Sequence, residues 1–395
     1  MSPGPLSGVR VVEFANLVAG PYAGMLLADM GADVIKVETP AGDLARGFGP
    51  YLRGESAFFL AVNRGKRSVA VDPKSLDARR WMDRLVGGAD VVLHNLRRGA
   101  MERMGYGEER VREMNPTVVY AVVSAFGADG PYADRAGIDI IFQAESGMVS
   151  ITGHPGDPPQ KTATTIGDYV AGTNAAFAVC AALFERERGG RGRRIDVSLR
   201  DGLLAVQSGW WALYFAQERQ PERTGTASPF LAPNQIFPTA DGHMALAIVS
   251  DRHFAILCEE LGRLDLAERF ASNDARMEGR PDLVEALTAI FVTDTTEAWV
   301  SRLDAAGLPV GRVLEFSGVE ADPQIAHNQM VAEWDHPTVG KIKGVGSPMR
   351  VDGDPTRAGS APPTLGQHTR EVLEELGAAP SEVDRLVAAG AVVLS

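Results

Sequence analysis

Short apolar runs, typical of buried strands, alternate with helical segments over about the first 125 residues of the chain. The pattern predicts strands at residues 9–14, 33–38, 68–71, 90–94 and 118–123, and helices at 19–30, 76–86 and 108–114. Strands that alternate with helices indicate parallel pairing through right-handed crossovers. We therefore expect an α/β fold, in which a Rossmann-like, doubly wound parallel sheet forms a large domain.

A second, smaller α+β domain is predicted after a polar, turn-rich passage at residues 220–233. A hairpin is expected over residues 236–246, and helices at 253–261, 283–291 and 296–306. In the tail we expect a helix at 369–376 and another, capped by Ser381, that runs to residue 389. The predicted division assigns residues 1–220 with 325–395 to the large domain and residues 225–324 to the small one.

One carboxylate stands out within this pattern, because residues 162–201 bring Asp168 to the start of a long helix rich in small residues. The helix is predicted over residues 170–188, a short strand over 195–199, and a further apolar helix over 203–217. Gly167 lets the backbone turn tightly directly before the carboxylate. The simplest role of Asp168 is that of an N-cap, which accepts hydrogen bonds from the first free N–H groups of the helix.

Composition narrows the classes of function. The chain has 395 residues, of which 45% are hydrophobic and 23% charged, as is ordinary for a globular protein with a full core. A net charge of −12 argues against nucleic-acid binding. Residues 53–113 nevertheless hold 13 Lys and Arg against 9 Asp and Glu. This local excess fits either an anionic ligand or a solvated helix face.

The two cysteines, Cys180 and Cys258, are too few for a disulfide framework and lack metal-ligand spacing. The first residues lack the features of a signal peptide, and we judge no apolar run long enough to span a bilayer. The expectation is a cytoplasmic protein that binds neither a membrane nor nucleic acid.

Several catalytic motifs of α/β proteins are missing from the sequence. No G-x-G-x-x-G follows the first strand, Gly65-Lys66 completes no P-loop, and no G-x-S-x-G elbow occurs. The seven histidines include no H-x-x-x-H pair, so a metal site is not expected. Carboxylates remain as the candidate catalytic groups, and Asp168 is the best placed of them.

Short motifs that are individually weak stand in a specific order along nearly the whole chain. They are AGP at 19–21, GADVIKVE at 31–38, NRGKRS at 63–68, VDPK at 71–74, RMG at 103–105, GD at 167–168, IDVSL at 195–199, GLPVG at 307–311, DPQ at 322–324 and LGQHT at 365–369. In this order they resemble the class III CoA-transferases of the CaiB/BaiF type. That family also contains formyl-CoA transferase, carnitine CoA-transferase and the α-methylacyl-CoA racemases.

The resemblance implies that Asp168 is a nucleophile that attacks an acyl-CoA thioester, giving a mixed anhydride and then an aspartyl-CoA thioester. CoA would pass to a free carboxylic acid, with acyl-CoA as a substrate and no prosthetic group. An interlocked homodimer with active sites between the subunits is also implied. The carboxylate must be ionised to attack, and the start of a helix is expected to favour that form.

The resemblance also assigns contacts with CoA to six positions: Val71, Lys74, Asn95, Leu96, Arg103 and Met104. Formyl-CoA transferase has basic or aromatic residues near the positions where this chain has Thr39, Ala136 and Ile138. Arg64, Arg97 and Arg98 are therefore open alternatives for binding the CoA phosphates.

Two other functions have to be weighed against CoA transfer. Racemisation needs two bases, and the racemases place a His in an Ala-Gly-His-Asp motif. This chain has Ala136-Gly137-Ile138-Asp139, and because isoleucine cannot carry a proton, transfer is favoured. A catalytically silent CoA-binding protein is the third possibility, against which Gly167-Asp168 argues. The glycine-rich loop of formyl-CoA transferase has no counterpart in residues 223–243, so the hypothesis for the acceptor is a short dicarboxylic acid, such as succinate or a methyl-branched relative.

Overall fold

The computed structural model describes residues 4–356 and 359–395, and the chain divides into two compact units. The first unit comprises Met1–Met148, Thr162–Ala212 and Pro323–Ser395, and the second comprises Val149–Lys161 and Leu213–Asp322. The segment Val149–Lys161 thus belongs to the second unit, although nothing in its sequence singles it out.

Strands and helices alternate through the first unit. The strands in chain order are β1 (Arg10–Phe14), β2 (Asp33–Glu38), β3 (Tyr51–Leu52), β4 (Glu55–Ser56), β5 (Lys66–Val71), β6 (Val91–His94), β7 (Val119–Ser124), β8 (Arg194–Ser198), β9 (Asn234–Pro238), β10 (His243–Ala247), β11 (Val310–Arg312), β12 (Val331–His336), β13 (Gly340–Val345), β14 (Arg350–Val351), β15 (Asp354–Pro355) and β16 (Val392–Val393).

The helices in chain order are α1 (Ala19–Asp29), α2 (Ala57–Leu60), α3 (Leu76–Gly87), α4 (Ala100–Met104), α5 (Glu108–Met114), α6 (Asp139–Glu145), α7 (Met148–Ile151), α8 (Ile166–Glu187), α9 (Leu199–Val206), α10 (Ser208–Gln217), α11 (Asp251–Leu261), α12 (Leu264–Arg269), α13 (Asn273–Glu278), α14 (Arg280–Phe291), α15 (Thr296–Ala305), α16 (Phe316–Glu320), α17 (Pro323–His327), α18 (Thr369–Glu375) and α19 (Pro380–Ala388). A short 3-10 helix, Leu44–Gly47, follows β2.

The sheet of the first unit has the strand order β16-β5-β2-β1-β6-β7-β8. Every neighbouring pair is parallel except β16 with β5, which is antiparallel. The predicted doubly wound parallel sheet is therefore confirmed. The chain runs from β1 to one side and returns to the other side at β6, so the strand order reverses between these two strands. Ligands of such sheets bind beyond the carboxyl ends of the strands at this switch point.

Each face of the sheet has its own apolar core, because successive side chains of a strand point to opposite faces. Val12 and Val92 lie in the cluster that includes residues of α3, α5, α18 and α19. Val11 and Val91 lie in the cluster that includes residues of α1, α6, α8 and α9. These strand residues are fully buried, as in a sheet covered on both faces.

The outer edge of β5 is closed by residues from much later in the chain. The His368 Nδ1 atom accepts a hydrogen bond from the Ser68 N–H group at 3.1 Å, and the Thr369 hydroxyl accepts one from the Ala70 N–H group at 3.0 Å. β16 then pairs with the end of the strand. Groups at this edge that would otherwise be open to pairing with another chain are thus satisfied within the molecule.

Helix α8 begins four residues before the predicted start, and by length and composition alone it could cross a membrane. The expectation that no apolar run is long enough is therefore wrong by that criterion. Such a test is also passed by core helices of globular domains. Ala171, Ala175 and Val179 are fully buried in the cluster that α8 shares with α1 and the sheet, so α8 packs as a core helix of the first unit.

Two predicted helices differ in detail. Instead of one helix over 203–217 there are two, α9 and α10, and the helical structure is interrupted at Gln207. The Gln207 amide donates to the Leu203 carbonyl at 2.7 Å and to the Ser146 carbonyl at 3.3 Å. The last helix begins at Pro380, so the N-cap residue is Ala379 rather than Ser381.

The second unit contains a three-stranded antiparallel sheet, β11-β10-β9, and the helices α11 to α15. The predicted hairpin corresponds to β9 and β10. Phe237, Leu257 and Phe291 are fully buried at the centre of this unit's own core.

Candidate functional site

The loops that follow β1 and β6 are tied together at the switch point by one side chain. The Asn95 Oδ1 atom accepts a hydrogen bond from the Asn16 N–H group at 2.8 Å, and its Nδ2 atom donates to the Asn16 carbonyl at 2.7 Å. The amide thus binds the Asn16 backbone as a neighbouring strand would. Asn95, which the sequence predicts as a CoA contact, therefore has a structural role in this crevice.

The next residue of the same loop is held in an unfavourable conformation. Leu17 has a φ of 66°, in the left-handed region, which costs a residue other than glycine about 1 kcal/mol or more. The Asp43 carboxylate accepts a hydrogen bond from the Leu17 N–H group at 3.0 Å, and the Lys36 ammonium donates to the Ala15 carbonyl at 2.6 Å. Because these buried groups fix the backbone, the loop is pre-organised at the edge where ligands of such sheets bind.

Six charged side chains form a buried ion network beneath this loop. The Lys36 Nζ atom lies 3.0 Å from a Glu13 oxygen and 2.8 Å from an Asp43 oxygen, and the Lys66 Nζ atom lies 2.9 Å from Glu13. The other members are Glu38 and Arg46, joined at 2.7 Å. Three carboxylates thus face three cations, and the side chains of Glu13, Lys36, Asp43 and Lys66 have no exposed area.

The two buried lysines of the network respond differently to their surroundings. Burial disfavours the charge of both. For Lys36, the carboxylates of Glu13 and Asp43 outweigh burial and raise the pKa. For Lys66, burial prevails over Glu13 and lowers the pKa to about 8. Sequence reasoning missed the network, although charged residues inside apolar strands, such as Glu13 and Lys36, were a usable signal.

Asp168 lies in the first turn of α8, at the same edge of the sheet. The helix starts there because it leads into β8, which runs parallel to β7. The N-cap residue is Thr165, so the prediction that Asp168 is the cap is wrong. Burial, and secondly the charge of Asp139, raise the pKa of Asp168 to about 7, although a hydrogen bond with Thr165 lowers it. The expectation that the helix start would favour the ionised form is therefore also wrong in its net effect.

Helix α1, which follows the switch-point loop, packs directly against the start of α8. A Cβ atom added to Gly172 would lie 2.7 Å from the Ala19 carbonyl oxygen, so only glycine permits this approach. The rings of Tyr22 and Tyr169 meet edge to face with their centroids 4.8 Å apart. Asp168 precedes Tyr169, and its turn therefore lies beside the beginning of α1.

Four of the six positions predicted to contact CoA lie in two groups at the carboxyl edge. Val71 ends β5 and Lys74 follows it, whereas Asn95 and Leu96 follow β6. Two strands separate β5 from β6, so the groups are about 14 Å apart along the sheet. The remaining two positions, Arg103 and Met104, are in α4. The Arg79 guanidinium donates to the Met104 carbonyl at 2.9 Å and joins α4 to α3. Only an elongated ligand could touch the whole set.

Most of the Lys and Arg side chains that give residues 53–113 an excess of positive charge form ion pairs within the chain. Arg64 is 5% exposed and binds the Asp29 carboxylate through two nitrogens, at 2.9 and 2.5 Å. That pairing excludes Arg64 as an alternative ligand of the CoA phosphates. Within residues 4–356 and 359–395, by contrast, Lys74, Arg97 and Arg103 are exposed and form no ion pair.

No group of three or more His, Cys, Asp or Glu side chains in the described part of the chain is arranged to hold a metal ion.

Comparisons with known proteins agree with the motif order. The profile of CoA-transferase family III matches residues 6–369. The chain is 37% identical to the succinate–glutarate CoA-transferase of Agrobacterium fabrum over 94% of this chain and 96% of that protein. It is 36% identical to the succinyl-CoA:glutarate CoA-transferase of Mus musculus, with coverages of 94% and 86%. It is also 35% identical to the succinyl-CoA–D-citramalate CoA-transferase of Chloroflexus aurantiacus, with coverages of 95% and 94%.

Solved structures give the same result for the fold. A CaiB/BaiF family protein from Brucella suis superposes with a TM-score of 0.84 at 35% identity, over 95% of this chain and all of that one. The protein Rv3272 from Mycobacterium tuberculosis superposes with a TM-score of 0.82 at 34% identity, over 93% of this chain and 98% of that one.

Proposed function

The chain belongs to CoA-transferase family III, and from that membership we propose a specific route for the transfer. CoA moves from an acyl-CoA donor to a free carboxylic acid through covalent intermediates on Asp168. The observation that carries this route is the position of Asp168 at the carboxyl edge of the sheet. There its carboxylate is partly withdrawn from water and lies beside the pre-organised switch-point loop.

The proposed route conserves atoms and charge at each step. The Asp168 carboxylate attacks the thioester carbonyl, the C–S bond breaks, and CoA leaves as a thiolate, which gives an acyl-aspartyl anhydride. The thiolate then attacks the Asp168 carbonyl carbon and releases the donor acid as a carboxylate. The acceptor carboxylate attacks the aspartyl-CoA thioester and expels the thiolate, which finally attacks the acceptor's acyl carbon. Asp168 is regenerated as a carboxylate.

The raised pKa of Asp168 suits a nucleophile of this kind. A carboxylate with a pKa of about 7 is more basic than an ordinary aspartate, and yet about half of it is ionised at neutral pH. The same burial that raises the pKa also keeps water away from an anhydride, which water would hydrolyse.

Binding of CoA is proposed along the edge between β5 and α4. Lys74 and Arg103 are exposed cations without an ion pair in the described residues, and they suit the phosphate groups of an elongated ligand. Val71, Leu96 and Met104 supply apolar contacts, and Asn95 fixes the loop over which the thioester end would lie. Arg97 and Arg98 remain as additional cations for the phosphates.

The proposed substrates are succinyl-CoA as the donor and a short dicarboxylic acid such as glutarate as the acceptor. The support is that the relatives with 35 to 37% identity carry succinate or succinyl-CoA in their names, together with glutarate or D-citramalate. Racemisation is disfavoured because Ile138, which replaces the histidine of the racemases, is 62% exposed at the start of α6 and has no proton to exchange.

Assembly as an interlocked homodimer and a cytoplasmic location remain predictions. The large apolar side chains of Phe177 and Phe184 on α8 are 75% and 64% exposed, which supports a partner surface there. Sedimentation equilibrium measures the molecular mass in solution. A mass equal to that of a single chain would contradict the predicted homodimer.

Incubation with succinyl-CoA followed by hydroxylamine tests the role of Asp168. We expect intact mass and peptide mapping to locate a hydroxamate on Asp168, and Asp168→Asn to lose at least 1000-fold in turnover. Asp201→Asn, which removes an exposed carboxylate from the first turn of α9, serves as the control. An Asp168→Asn variant that turns over at the normal rate would overturn the proposal.

A further inference from the structure

The motif Ala136-Gly137-Ile138-Asp139 keeps its aspartate although its histidine position is occupied by isoleucine. Gly137 is required because a Cβ atom there would lie 2.5 Å from the Phe142 ring. Asp139 is 6% exposed at the start of α6. One of its oxygens accepts a hydrogen bond from the Gly167 N–H group at 2.8 Å, and the other accepts one from the Gln143 amide at 2.5 Å. The carboxylate therefore binds the residue directly before Asp168.

Gln143 extends this contact to the other end of the same loop. Its side chain has no exposed area, and its Oε1 atom accepts hydrogen bonds from the Thr162 N–H group at 2.9 Å and from the Thr162 hydroxyl at 3.2 Å. Its Nε2 atom also donates to the Thr164 carbonyl at 3.3 Å. Two adjacent turns of α6 thus hold residues 162–167 at both ends, and this segment delivers Asp168.

Helix α6, which carries Asp139 and Gln143, is itself held in place by contacts at its end and with α9. Ser146, directly after the helix, donates its hydroxyl to the Gln143 carbonyl at 3.2 Å, and the Gln207 amide reaches the Ser146 hydroxyl at 3.3 Å. Leu203 of α9 packs against Gly167, where an added Cβ atom would lie 3.2 Å from its side chain. A side chain at position 167 would disturb the contacts of this residue with Asp139 and with Leu203.

The charge of Asp139 also acts on Asp168 and, after burial, is the second cause of its raised pKa. Within residues 4–356 and 359–395, neither carboxylate has a cation at ion-pairing distance. The neighbouring titratable groups are Tyr22 on α1 and Tyr169 on α8, and burial raises the pKa of both phenols, so they are neutral at pH 7. α9 contributes the apolar Leu203. The like charge of Asp139 is therefore uncompensated.

We propose that Asp139 and Gln143 are positioning residues for Asp168, which fix the turn that presents the nucleophile. Asp139 also adds a like charge to the surroundings of Asp168. This inference rests on the proposed role of Asp168 as the nucleophile. It gives the retained aspartate of the motif a function that does not require the missing histidine.

The test is Asp139→Asn in the full-length enzyme, with the rate of hydroxylamine-trapped adduct formation from succinyl-CoA measured between pH 5 and 9. The asparagine oxygen can still accept from Gly167, but its amide now opposes the Gln143 amide, donor against donor. We expect a maximal rate at least tenfold lower, and a pH midpoint about one unit below that of the wild type, since a like charge has been removed. Glu145→Gln, which removes an exposed charge from the same helix, should change neither value.

The double variant Asp139→Asn with Gln143→Glu separates position from charge. It restores the donor-to-acceptor order among Gly167, residue 139, residue 143 and Thr162, but it moves the charge one helical turn away. We expect most of the lost rate to return while the midpoint stays below that of the wild type. A normal rate and midpoint in Asp139→Asn would overturn the proposal. So would a loss of rate with an unchanged midpoint that the double variant does not restore.

A second readout does not depend on turnover. The difference in thermal stability between Asp168→Asn and its parent, measured from pH 4 to 9, gives the pH at which Asp168 takes up its proton in the native state. In the Asp139→Asn background this pH should fall by about one unit, and an unchanged value would overturn the inference. If the wild-type enzyme forms no adduct and this pH still falls in the Asp139→Asn background, the proposed function alone would be contradicted.

Discussion

Two groups of buried or partly buried charges in the first unit differ in how their charges are compensated. In the ion network of Glu13, Lys36, Glu38, Asp43, Arg46 and Lys66, each charge has an opposite partner within hydrogen-bonding distance. In the pair formed by Asp139 and Asp168, two like charges share a site with no cation at ion-pairing distance among the described residues. In the network, the paired charges hold a strained loop in place. In the pair, the like charge of Asp139 disfavours the anionic form of Asp168 and so makes its carboxylate more basic. On the proposed role of Asp168, the two groups thus differ in whether each charge has an opposite partner, and not in burial alone.

The largest expected effect comes from removing one partner of the network. Lys66→Met leaves the Glu13 carboxylate with Lys36 as its remaining cation, in a site without access to water. We expect the free energy of unfolding to fall by about 3–5 kcal/mol, as for other broken buried pairs. Urea unfolding of the purified variant measures this loss.

The matched control is Lys341→Met, which removes a lysine paired with Asp335 at 3.8 Å while both side chains are mostly exposed. Its effect should stay within about 0.5 kcal/mol. Equal losses in the two variants would show that compensation in the buried network has no special importance.

The opposite sign is expected when the uncompensated pair is relieved. Asp168→Asn keeps the shape of the side chain and removes a charge that the fold disfavours. The native pKa of about 7 lies above the ordinary value of 3.8, so the wild type loses stability as the pH rises between these values and stays level above pH 7. The stability advantage of the variant should therefore grow by about 2 kcal/mol between pH 5 and pH 8.

Paired denaturation curves at the two pH values measure this advantage. Asp201→Asn, whose carboxylate is exposed in the first turn of α9, should give a difference that does not change with pH. An advantage of Asp168→Asn that shrinks as the pH rises would contradict the raised pKa.

The smallest effect is expected for charges that are neither buried nor paired. Arg103→Ala should leave the free energy of unfolding unchanged, because water already solvates the guanidinium. It should raise the KM for succinyl-CoA about tenfold through the loss of one phosphate contact. Steady-state kinetics compare it with Arg110→Ala, whose arginine pairs with Glu113 on the surface of α5. A KM equal to that of the control would remove Arg103 from the CoA site.

The sequence predicts the local elements of the first unit well. The bounds of β2 and α5 are those expected, because apolar periodicity and chain breakers act within a few residues. The parallel sheet follows from the alternation of these elements. The pairing of β5 with β16 does not, since a two-residue strand far along the chain carries no periodicity of its own.

The sequence nominates the members of the candidate site, but it does not predict the electrostatics of that site. Motif order identifies Asp168, but the sign of its pKa shift depends on burial and on Asp139, which lies 29 residues earlier in the chain. The role of Asn95 depends on Asn16, a partner 79 residues away. Local sequence patterns cannot report such contacts, because they exist only once the sheet has formed.

The residues that close the β5 edge are synthesised long after β5 itself. Ser68 and Ala70 obtain their partners from residues 368 and 369, about 300 positions later in the chain. At roughly 5–20 residues per second, a ribosome needs about 15–60 s to make that stretch. During this interval a nascent β5 has an open edge, and a chaperone that shields extended apolar segments would find it there rather than in the folded enzyme.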